Sequence, residues 1–417
     1  MEKALLVTVI LDSKISGAER KQKAGELKDL ALSTGVEVKQ ELLCFRDSIT
    51  ADLFLGKGKA EEIRQLCEEE GVNTVIFNND LSGTQQRNLE EVLEKKTIDR
   101  TQLILDIFAR HAKTLEGNMH VELAQLEYLL PRLTGKGIIL SRLGGGIGTR
   151  GPGEQKLEVD RRKIKDRINR LRKELEDVVE RRQTMRKKRS ESSIPTVTLV
   201  GYTSAGKSTL LNFLTGSSQR VSKYLFTTLD TLSRSLHLSN NQKVILSDTV
   251  GFIEDLPTHL IDAFKATLEE VVYADLLIHV LDASDERLYE KNDAVWNVLE
   301  RLNVTNKPLI TALNKIDKLT DRSWLEKYKR DFEDSVAISA LSGENLGQLS
   351  ELIQKKLEKM VAAVSLDLPL NRMDLVDLIY KEGRVKSIEY TPQSIKIRAV
   401  LPSVTSYKLK SYVNNNA

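Results

Sequence analysis

One stretch of the 417-residue chain limits the fold more than any other: TVTLVGYTSAGKSTLLNFL, residues 196–214. It places G-x-x-x-x-G-K-S between an apolar strand pattern and a helical pattern, the context of a phosphate-binding P-loop. A plain glycine turn would need neither the lysine nor the hydroxyl. Backbone amides and the helix N-terminus would bind phosphate oxygens while Lys207 neutralises the β and γ phosphates. The predicted phosphate-binding residues are Gly201, Tyr202, Thr203, Ser204, Ala205, Gly206, Lys207, Ser208 and Thr209.

A second motif, NKID, indicates which base is bound, and it follows the apolar run PLITAL. Asp317 can accept two hydrogen bonds from guanine, through N1–H and the 2-amino group. Adenine lacks that amino group and presents an acceptor at N1, so the carboxylate would be left unpaired against it, at a cost of several kcal/mol. We therefore predict a guanine site. Its residues are Asn314, Lys315, Ile316 and Asp317, with Lys315 along the base plane, and the backbone of Ser339, Ala340 and Leu341 donating to the guanine oxygen.

Two motifs between these ends are typical of a GTP-dependent switch. In ILSDTVGF, Asp248 ends a strand and can hold Mg²⁺ through water, and the Gly251 amide can contact the γ-phosphate. In YLFTTLDT, either threonine could complete the metal shell with Ser208 or could merely satisfy local backbone groups, and we choose Thr228 as the ligand. These motifs add Phe226, Thr227, Thr228, Leu229, Asp230, Asp248, Thr249, Val250 and Gly251 to the predicted site, and the predicted catalytic residues are Lys207, Thr228 and Gly251.

The order P-loop, threonine, D-x-x-G, N-K-x-D, S-A, with each motif at a strand end, resembles the translation-factor-like GTPases. One position departs from their common pattern. Phe252 follows Gly251 where many of these proteins carry a glutamine that orients the attacking water. A phenylalanine cannot orient water, so we expect slow hydrolysis in isolation and faster hydrolysis when a partner orders the switches or supplies the missing group.

The remaining sequence predicts further domains around this one. The first hundred residues alternate apolar runs and helical patterns in β-α-β-α-β-α order, which favours a small parallel sheet with packed helices. The segment SESSIPTV is polar, contains a proline and reads as a domain boundary. We predict an α/β fold in four parts: an N-terminal α/β subdomain at 1–115, a long antiparallel helical hairpin at 116–192, a P-loop GTPase domain at 196–363 and a small C-terminal α+β domain at 366–417.

Positive charge is concentrated in the second arm of the predicted hairpin. Residues 155–189 hold 15 Lys/Arg against 7 Asp/Glu, a net charge of +8, whereas the whole chain has only +3. Apolar residues recur there with heptad spacing, so one face should pack as a coiled coil. The charged remainder is either a solvated face or a surface for a polyanion.

The loop GGGIGTRGPGEQK, residues 144–156, precedes this arm. It contains a formal G-x-G-x-x-G, but a dinucleotide site needs a second strand with an acidic residue about thirty residues on, where this chain continues as one charged helix. The other interpretations are a flexible linker and a loop that reaches structured RNA. For the RNA interpretation the candidate contacts are Arg142, Gly146, Gly148, Arg150, Arg161, Arg162 and Lys165.

Cys44 and Cys67 match no metal or redox spacing and are expected to be reduced thiols. The apolar run near the N-terminus is too short to span a bilayer, and no segment reaches about 18 apolar residues. We expect a cytoplasmic protein, without a transmembrane segment, that is monomeric.

The stretches DRTQLILDIFARHAKTLEGNMHVELAQLEYLLPRLTG, GGGIGTRGPGEQKLEVDRR, GYTSAGKSTLLNFLT, LFTTLD, SDTVGFI and NKID together resemble the HflX GTPases over nearly all of residues 1–363. The resemblance implies GTP-stimulated binding to the large (50S) ribosomal subunit and its rRNA, splitting of stalled or idle 70S ribosomes under stress, and hydrolysis stimulated by the ribosome. It also implies that the glycine loop approaches the peptidyl transferase centre.

Two other functions stay open at this point. The chain could be a regulatory switch whose hairpin binds a protein and never touches RNA, because the heptad pattern alone does not distinguish these partners. It could also be an enzyme acting on small molecules through the N-terminal sheet, although no acid/base or nucleophile pattern is visible there.

Overall fold

The computed structural model describes residues 2–11, 15–133, 152–191, 194–217, 225–226, 231–239, 242–254, 268–358 and 361–413. The contacts among the described residues divide them into two compact units. The first contains residues up to 177 together with Leu225 and Phe226, and the second contains the remaining ones. None of the helices in the described ranges is long and apolar enough to cross a membrane.

The first unit is built on a parallel four-stranded sheet, in the order β2-β1-β3-β4. Its strands alternate with helices as the sequence predicts. Two of the helices start at a serine whose hydroxyl accepts from the third helical residue, the capping box that Ser-x-x-Glu/Gln encodes. The elements are β1 (Lys3–Ile10), α1 (Gly17–Ser33), β2 (Glu37–Phe45), α2 (Lys57–Glu69), β3 (Thr74–Phe77), α3 (Gly83–Leu93) and β4 (Lys96–Ile98).

Three further helices follow: α4 (Arg100–His111), α5 (Leu115–Arg132) and α6 (Pro152–Glu191). The predicted heptad spacing of α6 corresponds to an apolar face on which Ile168, Leu171 and Leu175 are buried and Ile164 and Val178 are half-buried. Ion pairs join the helices, from Arg167 to Glu122 at 2.7 Å and from Arg172 to Glu127 at 2.7 Å. The two helices of the predicted hairpin therefore contact each other over this part of α6.

The second unit has a six-stranded sheet in the order β10-β9-β8-β5-β7-β6, parallel except for the edge strand β6. Its apolar strand residues pack with helices into one core, which confirms the predicted GTPase-type α/β fold. The elements are β5 (Thr196–Val200), α7 (Lys207–Thr215), β6 (Leu232–His237), β7 (Lys243–Asp248), α8 (Glu269–Tyr273), β8 (Leu276–Asp282), α9 (Leu288–Arg301), β9 (Leu309–Asn314), a 3₁₀ turn (Ile316–Lys318), α10 (Trp324–Asp331), β10 (Ser335–Ala337) and α11 (Leu346–Glu358).

The chain ends in a small antiparallel sheet in the order β11-β13-β12, covered by helices, as the α+β prediction expects. Its first strand begins at Val361, so it crosses the predicted boundary between residues 363 and 366. The elements are β11 (Val361–Pro369), α12 (Met373–Glu382), β12 (Arg384–Tyr390), β13 (Ser394–Pro402), α13 (Ser403–Lys408) and a final 3₁₀ turn (Lys410–Tyr412).

In the six-stranded sheet, β5, β7, β8 and β9 all end at the same edge because they are parallel. The P-loop follows β5, Asp248 ends β7, Asp282 ends β8 and Asn314 ends β9. Ligands of such sheets bind outside the carboxyl ends of the strands, so the fold gathers the predicted motifs at one edge.

Candidate nucleotide-binding site

The P-loop packs closely against a side chain at the end of β9, two strands away from β5. Gly206, the N-cap of α7, has φ of 101°, and a Cβ there would lie 2.2 Å from Asn314 Nδ2. Both the backbone angle and the close contact exclude any other residue at this position. The second glycine of the motif is therefore required by the approach of Asn314 as well as by the turn.

Lys207 is the cation of the phosphate site and is only 6% exposed. Its ammonium donates to the carbonyl oxygens of Gly201 and Tyr202, each at 2.9 Å. Burial lowers the pKa of Lys207 to about 8, and the carboxylate of Asp248 partly opposes that shift. A buried ammonium at the start of α7 is suited to bind phosphate oxygens, which would replace the two carbonyl groups as acceptors.

Asp248 and Ser208 meet beside this lysine. Asp248 is fully buried at the end of β7, and Ser208 Oγ donates to Asp248 Oδ2 at 2.6 Å. A hydroxyl and a carboxylate are oxygen ligands of the kind that Mg²⁺ prefers. The neighbouring Thr249 is also buried, with its hydroxyl donating to the Leu199 carbonyl, so this side chain supports the strand end.

Asn314 connects the phosphate end of the site to the base end. Its buried amide donates to the Ala205 carbonyl at 2.8 Å and accepts from the Ala340 amide at 2.9 Å. The motif asparagine is thus a brace between two loops. Lys315, in a left-handed backbone conformation, forms an ion pair with Asp282 at 2.6 Å, which fixes its ammonium at the end of β8.

At the base end, Asp317 is oriented by a serine. Ser339 Oγ donates to Asp317 Oδ1 at 2.5 Å and accepts from the Ser342 amide at 3.1 Å. Asp317 itself is exposed, so a bound base, and not the protein, would have to cover this carboxylate. The guanine contacts are predicted at this carboxylate and at the backbone of residues 339–341, where the Ser339 and Ala340 amides are bonded to the Glu344 carbonyl and to Asn314.

Some residues that were predicted for the nucleotide or RNA site lie elsewhere in the structure or outside the described ranges. Ile316 is buried in a separate apolar cluster, so its side chain belongs to the core. Phe226 belongs to the first unit, where its ring packs edge-on to Phe108 at 4.7 Å, and its role in nucleotide binding stays a prediction. Arg161, Arg162 and Lys165 are exposed on α6. The predicted residues that lie outside the described ranges are Thr227, Thr228, Leu229, Asp230, Arg142, Gly146, Gly148 and Arg150.

Two residues of the site were missed in the sequence. Asp282 could have been found, because it is a lone carboxylate at the carboxyl end of the apolar strand LLIHVL. Phe213 carries no such signal. Its ring lies against Gly343, where a Cβ would approach the ring to 2.3 Å, so this half-exposed phenylalanine of α7 supports the loop that carries Ser339 and Ala340.

Four family descriptions match successive parts of the chain: GTP-binding GTPase N-terminal over residues 21–109, GTP-binding GTPase Middle Region over 111–189, 50S ribosome-binding GTPase over 196–315 and HflX C-terminal domain over 325–413. The last description begins within the predicted GTPase domain.

Among curated relatives, GTPase HflX of Caldanaerobacter subterraneus subsp. tengcongensis is 43% identical over 412 residues, which cover 99% of this chain and 94% of the relative. GTPase HflX of Escherichia coli is 41% identical over 372 residues, 89% of this chain and 85% of the relative. A solved GTP-binding protein from Sulfolobus solfataricus, in complex with GDP, is 28% identical and covers 86% of this chain and 99% of its own, with a TM-score of 0.46.

Replacing Asp317 by asparagine should move base preference from guanine towards xanthine, because the new amide can donate to the extra oxygen of xanthine. We expect GDP affinity to fall about 100-fold, since two hydrogen bonds to a charged group are lost. Competition binding with GDP and XDP measures this change. Asp321→Asn, an exposed change on the same loop, is the control, and unchanged GDP preference in Asp317→Asn would refute the base assignment.

Nucleotide affinity should also depend on pH through Lys207. A phosphate binds the ammonium, and the pKa of about 8 means that this charge is lost as pH rises through that value. If only the charged form binds, GDP affinity falls about fivefold between pH 7.5 and pH 8.7. Calorimetric titration gives the slope. Lys307→Met is the control and should keep the same dependence of GDP affinity on pH. Burial lowers the pKa of Lys307 as well, but its ammonium donates to the Ala274 carbonyl and not to the phosphate site. A GDP affinity that does not change with pH in the unaltered protein would contradict the role of Lys207.

Removing the ring of Phe213 should loosen the base-binding loop. Phe213→Ala is expected to weaken GDP binding about fivefold through loss of support for residues 339–343, with a loss of about 1 kcal/mol in unfolding free energy because the ring is half exposed. Calorimetry and urea unfolding measure the two effects. Tyr273→Ala, an exposed aromatic of α8, should leave GDP affinity unchanged, and equal affinities in the two variants would exclude this role for Phe213.

Proposed function

Because this chain belongs to the HflX GTPase family, we propose that it uses GTP to bind the large ribosomal subunit and to split stalled or idle 70S ribosomes under stress. The chain is a GTPase with a 50S ribosome-binding GTPase domain. The observation that carries the finer proposal is the continuous match of all four parts of the chain to that family. GTP would organise the binding state, and hydrolysis would end it.

Within the site, each described residue has a defined task. Lys207 and the P-loop amides hold the phosphates, Asn314 holds the two loops at a fixed spacing, and Asp317 reads the base. Ser208 and Asp248 would hold Mg²⁺, with Asp248 acting through water, and their oxygen donors fit such an ion. A bound Mg²⁺ would neutralise negative charge on the phosphate groups. We propose Thr228 as the third hydroxyl contact.

The attacking water has no obvious partner at position 252. Phe252 is only 1% exposed, and its ring is among the largest fully buried side chains. A buried phenylalanine neither accepts nor donates a hydrogen bond to water. Hydrolysis therefore needs a group from elsewhere, which supports our proposal that the ribosome stimulates this reaction.

The ribosome-binding surface is proposed to include α6. Within the described part of the chain, Arg161, Arg162 and Lys165 are exposed and form no ion pair, whereas Arg167 and Arg172 are held by glutamates of α5. Three unpaired cations on two successive turns can contact phosphate groups of rRNA. We propose that the glycine loop, with Arg142, Gly146, Gly148 and Arg150, adds contacts beyond these turns.

Charge reversal of Arg161, Arg162 and Lys165 to glutamate tests the RNA contact. We expect weaker co-sedimentation with 50S subunits in the presence of a non-hydrolysable GTP analogue, and a salt dependence whose logarithmic slope is smaller by about three, because three counterion-releasing contacts are lost. Reversal of Lys327, Lys329 and Arg330 on α10 is the matched control.

Two results would contradict parts of this proposal. If ribosome-stimulated hydrolysis and salt slope survive the reversal on α6, the helix binds a protein partner or none. If 70S particles stay intact in sucrose gradients with GTP and with the analogue, while 50S binding is retained, the splitting activity is excluded.

A further inference from the structure

The first residues of the P-loop are paired with the segment that follows Gly251. Residues 201–203 and 252–254 form a short parallel bridge, which we call the clasp. The Phe252 amide donates to the Gly201 carbonyl at 3.1 Å, and the Thr203 amide donates to the Phe252 carbonyl at 2.8 Å. A side chain completes the clasp, because the Glu254 amide donates to the hydroxyl oxygen of Tyr202 at 2.9 Å.

Tyr202 is held in this position from the other side. Its ring is 6% exposed, and the ammonium of Lys291 lies 5.0 Å from the ring centroid. Lys291 is in turn fixed by an ion pair with Asp285, and Arg287 lies 3.8 Å from Glu254. The hydroxyl is therefore presented to the Glu254 amide by a side chain with little freedom to turn away.

The clasp brings Gly251 close to the phosphate-binding lysine. A Cβ on Gly251 would lie 2.8 Å from Thr203 Cα and 3.1 Å from Lys207 Nζ. A γ-phosphate must reach both the lysine ammonium and the amide of this glycine. Since the glycine backbone packs directly against the loop and the lysine, a third phosphate group would need the space that the clasp closes.

We propose that Tyr202 is a positioning residue that holds the segment 252–254 in a closed arrangement, and that this arrangement must open when the γ-phosphate binds. The clasp then opposes GTP and leaves GDP unaffected, because the β-phosphate of GDP needs only the P-loop amides and Lys207. Tyr202 thereby sets the preference between the two nucleotides. This role depends on the GTPase activity alone and not on ribosome splitting.

Tyr202→Phe removes the hydroxyl but keeps the ring and its contact with Lys291. The loss of one hydrogen bond from the closed arrangement shifts its equilibrium about fivefold. We expect affinity for GMPPNP to rise about fivefold, GDP affinity to stay within about twofold, and kcat/KM for GTP without ribosomes to rise by the same factor as GMPPNP affinity. Calorimetry and single-turnover hydrolysis measure these quantities on the full chain.

Tyr289→Phe is the matched control, since its hydroxyl donates to Asp331 at 2.5 Å and it lies on the same helix as Lys291. It should leave both affinities unchanged. Tyr202→Ala removes the ring as well and should raise GMPPNP affinity at least as much. Lower GMPPNP affinity in Tyr202→Phe would mean that the clasp presents Gly251 to the γ-phosphate. An unchanged ratio of GMPPNP to GDP affinity would mean that the hydroxyl has no role. Either result overturns the proposal.

Discussion

The buried amide of Asn314 is the interaction on which the nucleotide site depends. It satisfies the carbonyl of Ala205 in the P-loop and the amide of Ala340 in the base-binding loop, so one side chain fixes the spacing between phosphate and base. Both backbone groups are buried with it, and leaving either unpaired would cost about 1–3 kcal/mol. The close approach of this amide is also what requires glycine at position 206. Asn314 belongs to a motif that is usually interpreted as contacting the base, but here it holds the two loops of the site together.

The sequence could predict where a residue lies in the fold when its motif stands at the end of an apolar strand. Lys207, Asp248, Asn314 and Asp317 follow apolar strands, and parallel pairing brings those strand ends to one edge, so their proximity could be predicted. The sequence could not predict the role of a residue where that role depends on tertiary packing. Ile316 lies inside a functional motif yet belongs to the core. Phe213 reads as an ordinary apolar helix residue, and only the loop folded against it gives it a role.

Charge counted along one helix also overstates what that helix can offer a partner. The net charge of +8 in residues 155–189 does not include acidic residues contributed by a neighbouring helix. In the structure Glu122 and Glu127 of α5 bind Arg167 and Arg172, so part of the excess is neutralised within the fold. Such exposed pairs stabilise little, but they orient the arginines along the protein surface. Arg161, Arg162 and Lys165, one or two turns nearer the start of α6, are among the cations left for a polyanion, and the periodic pattern of the sequence could not separate them from the paired arginines.

Gly201 and Tyr202 of the P-loop accept hydrogen bonds both from the phosphate-binding lysine and from the segment 252–254. The Gly201 carbonyl accepts from both Lys207 Nζ and the Phe252 amide, and Tyr202 accepts from Lys207 through its carbonyl and from Glu254 through its hydroxyl. When phosphate oxygens replace these carbonyls as partners of the lysine, Gly201 and Tyr202 each lose a charged donor. The remaining bonds to 252–254 are neutral ones, which are weaker than those made by an ammonium. A phosphate on the lysine, from GDP or GTP, therefore leaves the bonds from Gly201 and Tyr202 to 252–254 in place, and only a third phosphate group competes with that segment for space.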